Sequence, residues 1–279
     1  MKPIDQLEFT DDFMFGAVMK NPEICRQVLE RLLKIPISRI EYPQLQKTIS
    51  PYYQSRGIRL DVYCSGEDKV YDIEMQNSTF ENLARRTRYY QSMMDIDQLS
   101  KGTDFSQLKD SFIIFICRKD PFNMNEPVYL VKSTFKNLRT EDGREIELED
   151  GVSRYFFNAP AYEKETDGKL RNLLQYIGTA VPNDGLTRKI KTEVEDNKSK
   201  EIFRTEYMAW GLAERDAEKR GYALGEKQGY ALGEKQGEQN KALTDAKIMI
   251  RDFGIPKDQV IEKLHLTETQ IQQLNEEGY

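Results

Sequence analysis

Apolar residues recur at helical spacing through residues 11–34. Phe15, Val18 and Met19 are followed by Val28, Leu29, Leu32 and Leu33, with Thr10 or Asp11 placed to cap the start and Ile35-Pro36 to end the helix. Residues 40–50 have weak periodicity and read as extended. Two short apolar-rich runs come next, 57–63 and 70–76, separated by Ser65-Gly66-Glu67-Asp68-Lys69. The Gly and Asp of that connection predict a hairpin of two antiparallel strands. A second helix is expected over 78–100, with Leu83, Arg86, Tyr90 and Met93-Met94 along it. The unbroken apolar run at 111–118 predicts a buried strand. Shorter strands are expected at 129–135 and 154–158, around a turn at Glu141-Asp142-Gly143. Helix, strands, helix and strand in this order predict an α/β domain.

After residue 182 the pattern changes. Residues 186–240 are rich in Lys, Glu, Arg and Ala, which favours long helix. Within them an octapeptide, residues 221–228, is followed by an identical copy at 229–236, and Gly221, Gly225, Gly229, Gly233 and Gly237 fall every fourth residue. Each glycine costs a helix about 1 kcal/mol relative to Ala. A period of four winds a glycine stripe slowly around a helix in the right-handed sense, and small residues at i, i+4 let two helices approach closely. Two readings stand: a self-association helix joining copies of the chain, or a partly helical linker expanded by repeat slippage. Residues 244–279 predict a small helical tail, with helices near 246–253, 257–264 and 267–274 broken at Gly254-Ile255-Pro256. Its order superficially resembles a helix-turn-helix, but four basic side chains face seven acidic ones there. A packing or docking module is the better reading. The expected domains are therefore 1–182, 183–243 and 244–279.

Composition narrows the chemistry. The 279 residues carry a net charge of −6, with 32% charged and 38% hydrophobic residues and a mean hydropathy of −0.71. That is polar but sufficient for a core. Overall charge provides no attraction to nucleic acid, so DNA binding must rest on a local patch. The longest apolar run, residues 112–117, is far short of the ~20 residues a bilayer span needs. The first twelve residues lack the apolar core of a signal peptide. Cys25, Cys64 and Cys117 are scattered and read as reduced, mostly buried thiols of a cytoplasmic protein. His265 is the only histidine, which excludes His-based metal sites and Ser-His-Asp or Cys-His catalysis.

The hairpin carries the candidate chemistry. Alternation places Asp72, Glu74 and Gln76 on one face. With the turn centred near Glu67-Asp68, Asp61 lies opposite Glu74, about 5 Å away between Cβ atoms. Like charges so placed repel, and a hard divalent cation reverses that cost. The bland alternative is a solvated strand face. Against it, Asp is depleted in strands, yet Asp61 and Asp72 occupy interior, apolar-flanked positions.

The spacing Asp…Glu-x-Gln on a strand hairpin resembles the PD-(D/E)XK nucleases, and within them most closely the recombination-promoting nuclease or putative transposase family. Asp12-Phe13-Met14-Phe15 is similar to that family's opening Asp-x-x-Phe. Ile73-Glu74-Met75-Gln76 resembles its core strand, Arg86 to Tyr90 its Arg-x-x-x-Tyr helix, and Tyr155-Phe156-Phe157-Asn158 its last strand. The likeness spans roughly residues 8–178. It implies a restriction-endonuclease-like core, a central mixed sheet flanked by helices, followed by the long helical glycine-repeat extension. It also implies a DNA endonuclease using Mg²⁺, or Mn²⁺, held by Asp61, Glu74 and the carbonyl of Met75. Gln76 would position water in place of the usual Lys. Arg86 and Tyr90 stand i, i+4 on one helix face and would meet the substrate if that face borders the metal; the other reading is an Arg packed on the core or ion-paired within the domain. Asp12 would be an N-terminal contributor by resemblance, or simply a capping acid. Asp72 is read as a surface residue, with a supporting place behind the site as the other reading. The missing Lys keeps open a catalytically weak DNA-binding protein or oligomeric scaffold on the same fold.

Overall fold

The structure is a computed structural model and describes the chain except residues 38–39, 41–42, 50–56, 79–80 and 140–143. The expected turn at Glu141-Asp142-Gly143 lies outside the described residues. Contacts divide the chain into two compact units, Met1–Tyr207 and Met208–Tyr279.

The first unit opens with α1 (Asp12–Met19) and α2 (Pro22–Leu33). The single helix expected over 11–34 is thus two. Asn21 breaks it: its Oδ1 accepts from the N–H groups of Glu23 at 3.1 Å and Ile24 at 3.4 Å, and Pro22 follows at the first helical position. Lys34, at φ 56, ends α2 just before the expected stop. Next come β1 (Gln44–Ile49), β2 (Ile58–Ser65), β3 (Lys69–Gln76), α3 (Leu83–Gln98) and β4 (Asp110–Cys117). These are followed by β5 (Val128–Val131), β6 (Thr134–Lys136), β7 (Glu145–Glu147) and β8 (Val152–Asn158), then α4 (Gly168–Thr179) and α5 (Gly185–Ser199).

Six strands form one mixed sheet in the order β1-β2-β3-β4-β8-β5, and β6 and β7 pair separately. β1, β2 and β3 run antiparallel, β3, β4 and β8 parallel, and β5 antiparallel to β8. β4 is central and buried on both faces, which explains its unbroken apolar run. Ile113, Phe115 and Cys117 join Leu83, Tyr90, Met93 and Met94 of α3 in one cluster. Ile114 and Ile116 point the other way and are equally inaccessible. Cys25, Cys64 and Cys117 are all free and buried.

The long helix expected from 186 onward is also interrupted. Lys200 is extended (φ −78, ψ 127) between α5 and α6 (Glu201–Arg251). The break lets Phe203 and Tyr207 pack on Phe13, with ring centroids 5.2 and 5.4 Å away, and the Tyr207 hydroxyl donates to the Lys2 carbonyl at 2.9 Å.

In the second unit α6 runs unbroken through both octapeptide copies. Around all five repeat glycines, a Cβ would meet nothing within 4 Å. The helix ends in a small cluster with α7 (Lys257–Leu264) and α8 (Glu268–Glu276), built on Leu243, Ala246, Val260, Leu266 and Leu274. No helix among the described residues is long and apolar enough to cross a membrane.

Candidate active site

The β2–β3 ladder pairs Val62 with Ile73 and Tyr63 with Asp72. Carried one step further, that register sets Asp61 across from Glu74, the juxtaposition the turn predicts. There the side chains take over from the ladder. The Asp61 N–H donates to Glu74 Oε1 at 2.9 Å, and the Met75 N–H donates to Asp61 Oδ2 at 3.2 Å. β2 also departs from simple alternation here. Leu60 and Tyr63, three residues apart, both enter the cluster under α3, so the strand changes face between them. On the neighbouring strand Gln46 adopts a left-handed φ of 50, between the pairs Leu45–Val62 and Lys47–Leu60. As a result Asp61 lines a cavity of about 790 Å³ together with Asp12, Phe13 and Gly16 of α1 and Leu45 of β1.

Glu74 is held from the other side by α3. Arg86 Nη2 donates to Glu74 Oε2 at 2.8 Å and to the Tyr90 hydroxyl at 2.8 Å, while Nη1 donates to Gln76 Oε1 at 3.2 Å. The guanidinium lies 4.9 Å from the Tyr90 ring centroid and 5.3 Å from that of Phe115, so its flat face is also packed. Arg86 and Tyr90 share a helix face, as their i, i+4 spacing dictates. Gln76 is buried, and its Nε2 donates to the Ser78 carbonyl at 2.6 Å.

Asp72 corrects the sequence reading. It is fully buried, not at the surface. Alternation correctly sets it beside Glu74 on the strand, but α3 covers that face. Neither Asp72 oxygen accepts a hydrogen bond among the described residues. Burial, reinforced by the charges of Glu74 and Asp61, pushes its carboxyl well above the usual range.

The same causes act on the other two acids. Burial, with Asp61 beside it, raises Glu74 to about 8 against the pull of the Asp61 N–H and Arg86. Burial raises Asp61 to about 6, opposed first by the Met75 N–H, with Asp12 adding to the rise. Asp12 keeps solvent contact but is shielded enough for its carboxyl to rise, against a hydrogen bond from Asn77.

Sequence reasoning missed Asn77, whose Nδ2 donates to the Thr10 carbonyl at 2.8 Å and to Asp12 Oδ1 at 3.0 Å, tying the end of β3 to the start of α1. Its place directly after Glu-x-Gln was the available signal. Asn197 and Lys200, which line the cavity beside Asp61, had none, because they arrive from more than a hundred residues downstream. A second cavity, of about 770 Å³, lies among α2, α4 and α5 and shares no residue with the carboxylate site.

A half-buried carboxylate on the second strand of a mixed sheet and buried ones on the third, beside an arginine helix, define a PD-(D/E)XK nuclease core. The family model for PD-(D/E)XK nuclease family transposases matches residues 9–230, and the chain belongs to that family. No curated protein and no solved structure matches it. The family assigns it a nuclease function related to transposition, with DNA as the substrate.

Proposed function

We propose that the chain is a divalent-cation-dependent endonuclease hydrolysing phosphodiester bonds in DNA. The observation that carries this reading is the pair Asp61 and Glu74, set across one ladder step, with Asp61 lining a cavity. Among the described residues no three His, Cys, Asp or Glu side chains gather as a metal-holding group. The donor chemistry nevertheless fits a hard cation. Asp61 raises the pKa of Glu74 and Asp12 that of Asp61, and a bound dication relieves that repulsion. Asp61, Glu74 and the Met75 carbonyl would hold Mg²⁺ or Mn²⁺. When bound, such an ion supplies Lewis-acid polarisation of a phosphoryl oxygen.

The remaining roles belong to the chain. Gln76 orients the attacking water through the second hydrogen of Nε2, the first being spent on Ser78. Arg86 offsets charge on the phosphate through space and not as a bidentate fork, because Nη2 is engaged by Glu74 and Tyr90. Tyr90 contacts the substrate beside it. Asp72 holds its proton and so limits the negative charge on the strand in the absence of a cation. Asp12 borders the substrate path with Asp61. The glycine-repeat helix joins two copies, and Tyr222, Leu224, Tyr230 and Leu232 are exposed along it for that contact.

Nicking of supercoiled plasmid in Mg²⁺ or Mn²⁺ tests the reading. Wild type is expected to convert plasmid to nicked and linear forms, with Asp61→Ala at background and its circular dichroism unchanged. Equal cleavage by the two proteins removes Asp61 from the mechanism.

A further inference from the structure

The cavity beside Asp61 has a second polar wall, at the end of α5. Asn197, at the end of α5, is 7% exposed and lines it. Its Oδ1 accepts from Lys200 Nζ at 3.0 Å, but its Nδ2 has no hydrogen-bond partner among the described residues. An unmade buried donor is costly, and a ligand acceptor satisfies it. Glu193 stands next to it, accepting from Asn21 Nδ2 at 3.2 Å and lying 3.8 Å from Lys200.

The lining charges decide the class of ligand. Lys20 and Lys200 face Asp12, Asp61, Glu193 and Glu206. Two cations against four acids do not make an anion site. The apolar part includes two aromatic rings beside Leu45 and Ile202: Phe13 and Phe203 line the cavity with ring centroids 5.2 Å apart, and the Tyr207 ring lies 5.4 Å from Phe13. The volume of about 790 Å³ lies within the range of small-molecule pockets, roughly 300–1,000 Å³. A neutral, flat group with both acceptors and donors satisfies all of these walls.

We propose that this cavity takes one unstacked nucleobase of the bound DNA strand. Asn197 Nδ2 donates to a ring acceptor, Glu193 and Glu206 accept from an exocyclic amine, and Phe13 packs against the base. The proposal rests on the nuclease reading for its substrate, since Asp61 borders the same cavity.

The test is binding, measured without divalent cation so that nothing is cut. The full chain is titrated by fluorescence anisotropy with oligodeoxyadenylate, with oligothymidylate, and with an abasic strand of the same length. Oligodeoxyadenylate is expected to bind about tenfold tighter than the abasic strand. Oligothymidylate, which lacks an exocyclic amine, is expected to bind more weakly than oligodeoxyadenylate. Asn197→Leu should bring the ratio to the abasic strand near one. Ala17→Phe, which fills the cavity from α1 and leaves Asn197 in place, should do the same, and covers the case in which the first variant misfolds. Equal binding of the abasic strand makes the cavity a backbone channel and overturns the proposal. So does equal binding of oligothymidylate, or a ratio unchanged in both variants. If wild type fails to nick plasmid while the ratio and its loss hold, the base pocket stands and hydrolysis falls.

Discussion

Glu74 is caught between two neighbours of opposite effect. Asp61 pushes its proton on, and Arg86 pulls it off. Glu74 is 3% exposed at its side chain and Arg86 28%, so their pairing at 2.8 Å is shielded from water on the acid's side. Removing one partner of such a pair costs about 3 kcal/mol, because the other charge is left buried and alone. The charge exists only when Glu74 is ionised, and burial holds its pKa near 8. Arg86→Ala is therefore expected to destabilise by about 3 kcal/mol near pH 9 and by clearly less near pH 6. In a Glu74→Gln background the penalty should shrink at both values. Urea unfolding at the two pH values measures this, and a pH-independent cost would assign Arg86 to packing against Tyr90 and Phe115 alone. Asp72 shows the limit of sequence reading at this scale. Strand alternation gives the face on which a side chain lies, but not whether a helix covers that face, and the covering residues of α3 come after it in the chain.

At the scale of elements, the hairpin was legible because three signals agreed: apolar strands, a Gly-Asp connection and a register fixed by the turn. The break between α1 and α2 was also written in the sequence, as an Asn before a Pro, but the apolar spacing on both sides masked it. The stop at Lys200 has no such mark. It is set by what Phe203 and Tyr207 reach, the ring of Phe13 from the other end of the domain. The repeat region of α6 yields a direct test. Nothing lies within 4 Å of a Cβ placed at Gly225, Gly229 or Gly233, so Ala fits each without strain. Each Gly→Ala change should stabilise the helix by about 1 kcal/mol and raise the helical circular dichroism signal. Leu at the same three positions should block close approach of a second helix and lower the mass seen in sedimentation. A wild type already monomeric, or a Leu variant of unchanged mass, leaves the segment without a partner.

For the whole molecule, the buried acids make stability depend on pH in an unusual direction. Below about pH 4.5 the folded and unfolded chains both keep the Glu74 proton, so the group contributes no difference. Between there and about 8 the folded chain holds a proton that the unfolded chain has released. Stability therefore falls as pH rises through this window, and above it the full cost of the buried charge is felt. Asp61, raised to about 6, adds to the fall over the lower half of the range. A divalent cation binding the folded carboxylates acts in the opposite sense. Thermal unfolding should accordingly give a lower Tm near pH 9 than near pH 6 in chelator, with the difference reduced by Ca²⁺ and by Glu74→Gln. A flat profile in chelator, or Ca²⁺ without effect, would speak against Asp61 and Glu74 as a cation site.

The two identical octapeptides are exposed throughout and a Cβ at any of their glycines would meet nothing within 4 Å, so the sequence there is under no constraint from packing within the chain. Adding or losing one copy keeps the helix continuous. Within the second unit it changes the length of helix that precedes the tail cluster by about 12 Å, and turns the following residues about 80° around the axis. Copy number is then a setting of reach and phase, adjustable by a single in-frame slip of the gene, that leaves the carboxylates on β2 and β3 as they are.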